Sequence, residues 1–392
     1  MAWELATFSA DLLQEPESVA GVEVEIVPPG SLVRVTHVLD AVDPRIRPDG
    51  RAAFPTKGPA GQGLTNRVEG VVVLSCLDFP GEERPLHEQE SVVDLGGPGA
   101  VLTPFGDMTA VVLTFRPGGG GHVAIDAEAR RTTLAVAEEI ARGTLDAEPD
   151  DVERFELRPA DAGLPAVAAL IQISDLGPLY IQYVYGAPAG EAGLPRAFDP
   201  AEVLDGAVTC GEYHWAAMRN PTWFFQRNEL IRTLYREHGK SLRFAGVVLM
   251  RGYEQSAADK QRAAERAAAV AAELQADGVV ITTDAGGNSH TDVMLTCRVC
   301  EQAGIRTTVV LAEETDPQST KPILTDWVQE ADSIVSTGNV EELVESWTPE
   351  RVLGGDSLLD GTPARDAGPI PVRNYLGAAN QMGQLALSAR TE

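Results

Sequence analysis

The stretch FAGVVLMRGYEQSAADKQRAAERAAAVAAELQADGVVITTD, residues 244–284, decides the fold, because it passes from strand to helix and back to strand. Both of its ends are short apolar runs of the kind that form buried parallel strands. Between them lies an Ala-rich segment opened by Ser256, which has the composition and the N-cap of a helix. Strand, helix and strand in this order predict a parallel β-α-β unit.

The same alternation continues towards the C-terminus. RTTVVLAEE (306–314) and DSIVSTGN (332–339) read as two further strands, while HTDVMLTCRVCEQAG (290–304) and ILTDWVQEA (323–331) read as helices. Residues 244–392 are therefore predicted to form a Rossmann-like α/β domain, with a doubly wound, mostly parallel sheet and helices on both faces.

The part before residue 187 lacks this alternation of strands and helices and is predicted to be a β-rich N-terminal domain, residues 1–186. A single helical pattern covers residues 126–142, with apolar residues on one face and charges on the other. The strand signals are GVEVEIVPPG (21–30), SLVRVTHVLDAV (31–42), RVEGVVVLSCLDF (67–79) and LPAVAALIQISDLGPLYIQYVYG (164–186).

Residues 187–243 are predicted to connect the two domains. The stretch APAGEAGLPRAFDPAEVLD (187–205) is rich in Pro, Gly and acidic residues, as exposed connections are. At 392 residues, the chain has the length of two ordinary domains. We therefore expect an α/β protein of two domains with the connection 187–243 between them.

Bulk composition excludes several classes of function. The formal net charge of −27 opposes binding to nucleic acid and to anionic membranes. No apolar run is long enough for a membrane span, and the first residues lack the basic start of a signal peptide. Four cysteines over this length do not form a disulfide framework, so we expect a cytoplasmic protein.

A glycine-bearing loop, Gly286-Gly287-Asn288, follows the strand that ends the opening stretch. Ligands of open parallel sheets gather beyond the carboxyl ends of the strands, and amides at a helix start can hold a carboxylate or phosphate. These three residues are predicted to bind substrate, with His290 nearby. Taken alone, the loop is more typical of a simple helix-entry turn than of an anion site, because it has neither the GxGxxG pattern nor the lysine of a P-loop.

The segment LDGAVTCGEYHWAAMRNPTWFFQRNELIRTLYREHGK, residues 204–240, is the most unusual part of the chain. It places Thr209, Cys210 and Gly211 beside His214 and several aromatic residues. Taken alone, a single cysteine is more often a buried apolar residue than a nucleophile.

Several stretches of sequence, taken in their order along the chain, favour a catalytic role for Cys210. They are SLVRVTHVLDAVDPRIRPDG (31–50), VVDLGGPGAVLTPFGDMTAVVL (92–113), the segment 204–240, ADGVVITTDAGGNSHTDVMLTCRVCEQAGIRTTVVLAEE (276–314) and EADSIVSTGN (330–339). Together they resemble the precursor of the small subunits of glycine reductase component B, in the family of glycine, sarcosine, betaine and D-proline reductases. The resemblance covers roughly residues 20–345.

The resemblance implies that the chain cleaves itself before Cys210, giving products 1–209 and 210–392. The thiolate would attack the carbonyl of Thr209, and elimination and hydrolysis would leave a pyruvoyl group at position 210. His214 is the nearest candidate base, and Gly211 would allow a strained turn. The second cysteine that the family carries shortly after the cleavage site is absent here, and His214 lies roughly at its position.

The resemblance also implies a partner and a substrate. The ketone of the pyruvoyl group forms a Schiff base with a small amine or amino acid and activates its C–N bond for reductive cleavage. The reduction takes place on a partner subunit that bears a selenocysteine or cysteine, so we expect an oxidoreductase subunit in a hetero-oligomer. The alternatives are a scaffold that binds the reductase partner without cleaving, and a Rossmann-like small-molecule-binding protein that uses the Gly286–Asn288 loop.

The other cysteines are given no catalytic role. Cys297 and Cys300 form a CxxC pair inside a predicted helix, and a single pair cannot complete a four-ligand zinc site. Packing of the helix on the sheet is the favoured interpretation, and a redox dithiol is the alternative. Cys76 ends a buried strand and is expected in the core. No metal site is predicted.

Overall fold

The chain forms a mixed α/β structure in which helices pack on several β-sheets. A computed structural model describes residues 18–54, 60–78, 90–119, 121–177, 181–211, 216–284, 286–315, 324–366 and 368–385. Its strands are β1 (Val19–Val27), β2 (Val33–Val35), β3 (Val38–Val42), β4 (Arg45–Ile46), β5 (Asn66–Arg67), β6 (Val71–Leu77), β7 (Val93–Asp94), β8 (Thr109–Pro117), β9 (Ala166–Ser174), β10 (Gln182–Val184), β11 (Ala187–Pro188), β12 (Arg196–Phe198), β13 (Val208–Cys210), β14 (Arg243–Gly252), β15 (Gly278–Thr282), β16 (Arg306–Glu313), β17 (Ile334–Asn339), β18 (Leu343–Val344), β19 (Arg351–Leu353) and β20 (Ile370–Pro371).

The α-helices are α1 (His122–Arg142), α2 (Pro200–Glu202), α3 (Thr222–Gln226), α4 (Glu229–Glu237), α5 (Ala257–Glu273) and α6 (Asn288–Gln302). Short 3₁₀ turns lie at Pro98–Leu102, Pro104–Asp107, Ala189–Glu191, Ala216–Met218 and Val372–Asn374. The side chain of Ser256 accepts a hydrogen bond from the backbone N–H of Asp259 and so caps α5, as the sequence predicts.

The largest sheet has six strands in the order β12-β14-β9-β15-β16-β17. β14, β9, β15, β16 and β17 run parallel to one another, and β12 is antiparallel at one edge. The alternation read after residue 244 supplies β14 to β17, with α5 and α6 between them. The prediction of a mostly parallel sheet in this part of the chain is therefore confirmed, and the doubly wound arrangement stays a prediction.

One inner strand of that sheet comes from the N-terminal half of the sequence. β9 pairs with β14 over its whole length and with β15 on its other side. The sequence predicts a strand here but does not assign it to this sheet, because a nine-residue buried apolar run fits the middle of any sheet. The boundaries at residues 187 and 244 remain a prediction, and this sheet draws strands from both sides of them.

Two apolar cores cover the two faces of the large sheet. On one face, α5 and α6 pack on Ala168, Leu170, Val248 and Ile281. On the other face, side chains of α3, α4 and the N-terminal strands share a core with residues such as Ile171. Alternation of side chains along each strand produces this division.

A second sheet, in the order β1-β8-β6-β3, forms the β-rich N-terminal region. α1 covers one of its faces, and the opposite face shares the core that lies against the large sheet. Residues 126–142 are helical as expected, although the helix begins four residues earlier, at His122. β3 is buried along its entire length, and it carries one acidic side chain, Asp40.

The region after residue 323 differs from expectation. Residues 324–331 form no helix, so this part of the helix predicted at 323–331 is wrong, and Ile323 lies outside the described residues. A segment this short gains too little from its own helical hydrogen bonds to persist without a strong packing face. β19 pairs with β2, and Tyr375 donates a hydrogen bond to Asp94, so the C-terminal segment packs on the N-terminal region.

Candidate functional site

The Thr209–Cys210 peptide bond lies in β13, which pairs antiparallel with β10. Both side chains are buried, and that of Cys210 is 0% exposed. Gly211 continues the pairing, with its N–H donating to the backbone oxygen of Ile181 at 2.8 Å. The bond predicted to be cut is therefore held inside the protein in extended backbone.

Gly211 serves close packing rather than the strained turn that the sequence suggested. Its backbone does not have a positive φ. A Cβ at this position would lie 2.9 Å from Asp126 Oδ2 and 2.9 Å from Tyr183 Cε2, closer than such atoms approach. Glycine is required here because the side chains of α1 and β10 pass against the backbone.

The thiol of Cys210 is held between two polar groups. Its Sγ donates to the backbone oxygen of Asn220 at 2.8 Å, and Gln182 Nε2 lies 3.7 Å from the sulfur. Burial, with the nearby carboxylates of Asp40 and Asp284, raises the pKa of the Cys210 thiol well above its ordinary value. The thiol is therefore protonated at neutral pH, and its attack on a carbonyl requires a base.

The backbone nitrogen of Cys210 faces a second polar group. Its N–H donates to Thr222 Oγ1 at 2.8 Å, and that hydroxyl donates to Asp40 Oδ2 at 2.6 Å. The backbone N–H of Thr222 donates to Asp40 Oδ1 at 2.8 Å. Burial raises the pKa of Asp40 to about 6, against the opposing effect of the Thr222 hydrogen bonds and of Arg219.

Hydrogen bonds connect Cys210 to the carboxyl ends of the large sheet. Asp284, two residues beyond the end of β15, accepts from the backbone N–H of Asn220 at 3.2 Å and from its side-chain Nδ2 at 2.9 Å. Gln182 Nε2 lies 3.4 Å from the same Asp284 oxygen, and Gln182 Oε1 accepts from the backbone N–H of Ser174, the last residue of β9. These hydrogen bonds place Cys210 near the carboxyl ends of β9 and β15.

The loop Gly286-Gly287-Asn288 begins two residues after Asp284 and leads into α6. Gly287 has φ +60°, a left-handed conformation that favours glycine. Burial raises the pKa of the Glu314 carboxyl, against the opposing effect of the nearby backbone N–H of Gly287. Because the Glu314 carboxyl lies near that amide, an external anion bound there would meet a like charge.

His290 lies in the first turn of α6, beside Glu314. Its side chain is 1% exposed, and neither ring nitrogen has a hydrogen-bond partner among the described residues. Nδ1 is 3.8 Å from Glu314 Oε1. Burial lowers the pKa of His290 to about 4, so the imidazole is neutral at physiological pH.

His214, predicted from the sequence as a base, lies outside the described residues, so its role stays a prediction. The sequence analysis assigned no role to the polar residues around Cys210: Asp40, Gln182, Asn220, Thr222 and Asp284. One signal was available, since Asp40 is the only charged residue of the apolar strand β3. A charged group inside a buried strand is costly and usually has a dedicated partner.

The remaining cysteines are buried away from this network. Cys76 lies in the core, as expected, and burial raises its pKa to about 12. Cys297 and Cys300 pack between α6 and the sheet, with Cys297 Sγ 3.1 Å from Thr307 Oγ1. Burial raises the pKa of Cys297, and it raises that of Cys300 to about 12, which favours the packing interpretation.

The described residues contain no group of three or more His, Cys, Asp and Glu side chains arranged to hold a metal ion. In the same part of the chain, no helix has both the length and the apolar character that crossing a bilayer requires.

Comparison with known proteins gives a consistent set of relatives. A profile of the family described as glycine/sarcosine/betaine reductase component B subunits matches residues 7–368. The sarcosine reductase complex component B subunit alpha of Peptoclostridium acidaminophilum is 31% identical over 385 residues, covering 95% of this chain and 86% of that protein. No solved structure has significant similarity to this chain.

Two further relatives carry similar names. The betaine reductase complex component B subunit alpha of Peptoclostridium acidaminophilum is 30% identical, over 95% of this chain and 90% of that protein. The glycine reductase complex component B subunits alpha and beta of Acetoanaerobium sticklandii are 29% identical, over 97% of this chain and 91% of that protein.

Proposed function

The chain belongs to the family of glycine/sarcosine/betaine reductase component B subunits, and from that premise we propose that it cleaves itself between Thr209 and Cys210. The proposed product is a subunit of an amine or amino-acid reductase complex with a pyruvoyl group at position 210. The observation that carries the proposal is the burial of Cys210 in a polar network that reaches the carboxyl ends of the large sheet.

The surroundings of Cys210 fit the formation of such a group from the chain itself. Cysteine supplies both the attacking sulfur and a leaving group on its β-carbon. The thiol and the backbone nitrogen are each hydrogen-bonded, to Asn220 and Thr222, so both reacting atoms are positioned. The side chain of Cys210 is fully buried, which would protect a thioester from premature hydrolysis.

The proposed cleavage begins when the thiolate of Cys210 attacks the carbonyl carbon of Thr209. A C–S bond forms, the C–N bond breaks, and the nitrogen takes a proton. Removal of the α-proton of residue 210 then breaks the Cβ–S bond, leaving a thiocarboxylate on Thr209 and a 2-aminoacryloyl group at position 210. Addition of water to the imine tautomer releases ammonia and leaves the keto group. His214 is proposed as the base.

The glycine loop is proposed to bind the substrate. Gly286, Gly287 and Asn288 lie at the strand ends, connected to Cys210 through Asp284 and Asn220. The half-buried carboxylate of Glu314 beside this loop would attract an amine rather than an anion. A keto group at position 210 would supply an electron-withdrawing centre for the C–N bond of a small amine or amino acid.

A partner subunit that bears a selenocysteine or cysteine is proposed to carry out the reduction. The chain would then act in a hetero-oligomer, in the reducing cytoplasm. All four cysteines are free, and the net charge of −27 opposes nucleic acid and anionic membrane as ligands.

Denaturing mass spectrometry of the purified chain, expressed with its reductase partner, tests the proposal. Two fragments covering 1–209 and 210–392, the second reactive with hydroxylamine at its N-terminus, are the expected result. A single intact chain under these conditions would overturn the cleavage.

A non-cleaving scaffold is the second candidate. Thr209 and Cys210 pair with Tyr183 and Gln182 in a regular antiparallel ladder, an arrangement that an uncut chain keeps without strain. If the chain is a scaffold, wild type and Cys210→Ala would bind the reductase partner equally well and neither would be cut. If the chain is the enzyme, wild type would show the two fragments and Cys210→Ala would not.

A further inference from the structure

In the mechanism above, Thr222 positions the nitrogen of the Thr209–Cys210 bond, but no group is assigned to protonate it and Asp40 has no role. We infer that Asp40 and Thr222 form a proton relay that protonates the Cys210 nitrogen as the Thr209–Cys210 bond breaks. The inference rests on the proposed self-cleavage and extends it, since it assigns the acid for the leaving nitrogen.

The relay is continuous and short. Cys210 N is 2.8 Å from Thr222 Oγ1, and Thr222 Oγ1 is 2.6 Å from Asp40 Oδ2. Asp40 is 4% exposed, Thr222 is 0% exposed and the Cys210 side chain is 0% exposed, so bulk water does not compete for these contacts. Thr222 touches the reacting nitrogen, whereas Asp40 acts through Thr222 and is a positioning residue.

The chemistry requires such an acid. When sulfur adds to the Thr209 carbonyl, the nitrogen can leave only as an amine, because an amide anion is far too basic to be expelled. In the resting chain both hydrogen bonds point towards the Asp40 carboxylate, so the relay acts when Asp40 is protonated and both bonds reverse. The electron pair of the C–N bond then stays on nitrogen, which takes the proton of the Thr222 hydroxyl while that hydroxyl takes one from the Asp40 carboxylic acid. The base takes the thiol proton and later returns it to Asp40. Protons therefore balance, and no redox partner is needed.

The electrostatics of the pair fit this role. A buried carboxyl with a pKa of about 6 releases and regains a proton more readily near neutral pH than an ordinary aspartate. Arg219 is the charged side chain that opposes this rise. The sulfur donates to the backbone oxygen of Asn220 and the nitrogen donates to Thr222, so nucleophile and leaving nitrogen have separate hydrogen-bond partners.

A purely structural role is the competing explanation, because Asp40 also accepts the backbone N–H of Thr222 at the start of α3. Asp40→Asn keeps an acceptor for that N–H but removes the acid. Thr222→Val keeps the shape of the side chain but removes the hydroxyl, and Thr222→Ser restores it. Slower cleavage by Thr222→Val than by Thr222→Ser would show that the hydroxyl is needed, and slower cleavage by Asp40→Asn would show that the carboxylic acid is needed as well.

The experiment follows fragment formation over time by denaturing mass spectrometry, in chains expressed with the reductase partner. Trapping of the thioester with hydroxylamine reports the first step alone. We expect Asp40→Asn and Thr222→Val to slow thioester formation about 100-fold or more, and Thr222→Ser to stay within about threefold of wild type. Thr133→Val is the matched control, because it removes a buried hydroxyl of α1 that donates to Ala129 O and takes no part in the relay, so it should cleave like wild type.

The outcomes separate the two proposals. Wild-type cleavage with unchanged rates in Asp40→Asn and Thr222→Val would overturn the relay and leave self-cleavage standing. A wild-type chain that never cleaves would overturn the proposed function, and the relay with it. Should Asp40→Asn fail to fold, as judged by circular dichroism, the Val and Ser variants of Thr222 decide the relay: equal rates for the two would overturn it.

Discussion

Cys210 donates a hydrogen bond from its thiol to the backbone oxygen of Asn220, with sulfur and oxygen 2.8 Å apart. Asn220 is in turn held by Asp284, which accepts from both its backbone N–H and its side-chain amide. The position of the proposed nucleophile therefore depends on a carboxylate at the end of a strand in the large sheet.

Substitution of Cys210 separates lost chemistry from lost stability. Cys210→Ala is expected to abolish cleavage, because a methyl group can neither attack nor leave. Cys210→Ser is expected to cleave slowly, since the hydroxyl is much harder to ionise than a thiol, whose ordinary pKa is about 8.5. Fragment yield on denaturing gels, with and without hydroxylamine, is the measurement.

The other cysteines provide the controls for that experiment. Cys76→Ala, Cys297→Ala and Cys300→Ala each remove a buried sulfur and should cost about 1–3 kcal/mol of stability, yet leave cleavage intact. Loss of cleavage in all four alanine variants would point to destabilisation as the common cause.

Asp284→Ala is expected to lower the free energy of unfolding by about 2–4 kcal/mol, because it leaves the buried N–H groups of Asn220 without their acceptor. Urea denaturation followed by circular dichroism measures the change. The exposed Glu273, which forms an ion pair with Arg266, is the matched control, and Glu273→Ala should change stability by less than about 1 kcal/mol. Equal effects of the two variants would contradict the network described around Asn220.

Gly211→Ala is expected to displace β13 from α1 and to reduce the cleavage rate, because its Cβ would meet Asp126 and Tyr183 at 2.9 Å. The cost in stability should be about 1–3 kcal/mol, as for other overpacked sites. Gly121→Ala is the control, since a Cβ at Gly121 meets nothing within 4 Å. Thermal unfolding and fragment yield of both variants check the prediction. A Gly211→Ala variant with the stability and the cleavage rate of the wild type would contradict it.

His290 is expected to make stability depend on pH. Its pKa is about 4 in the folded chain, below the ordinary value of 6.5, so folding favours the neutral ring. This contribution is fully present above pH 6.5 and is lost as the pH falls from 6.5 towards 4, by about 3 kcal/mol at most. The burial-raised carboxyl of Asp40 acts in the opposite sense over a similar range, losing stability as the pH rises towards 6.

The contribution of His290 is isolated by subtracting the unfolding free energies of His290→Leu from those of wild type between pH 4 and 7.5. The difference should fall with decreasing pH, since leucine does not titrate. Glu314 and Asp326 are the acidic groups that interact with His290, and Glu314→Gln tests whether the nearer of them affects the slope. A difference that does not vary with pH would contradict a buried, neutral His290.

Local patterns were sufficient for the elements and for part of the site. The strand–helix alternation between residues 244 and 314 and the cap at Ser256 both follow from short-range signals. The assignment of β9 to the large sheet does not, because pairing with β14 joins segments far apart in sequence. The Asp40–Thr222 contact also joins residues far apart in sequence. A sequence pattern therefore shows only that Asp40 is an unusual residue for its strand.

The strand order of the large sheet has a practical consequence for detecting the cut. β12 and β9 belong to residues 1–209, while β14 and β15 belong to residues 210–392, and the four alternate across the sheet. After the proposed cleavage between Thr209 and Cys210 the two polypeptides would remain interdigitated, because drawing them apart breaks the ladders on both sides of β9. They would migrate as one species in gel filtration and on native gels, and only a denaturant would reveal two chains.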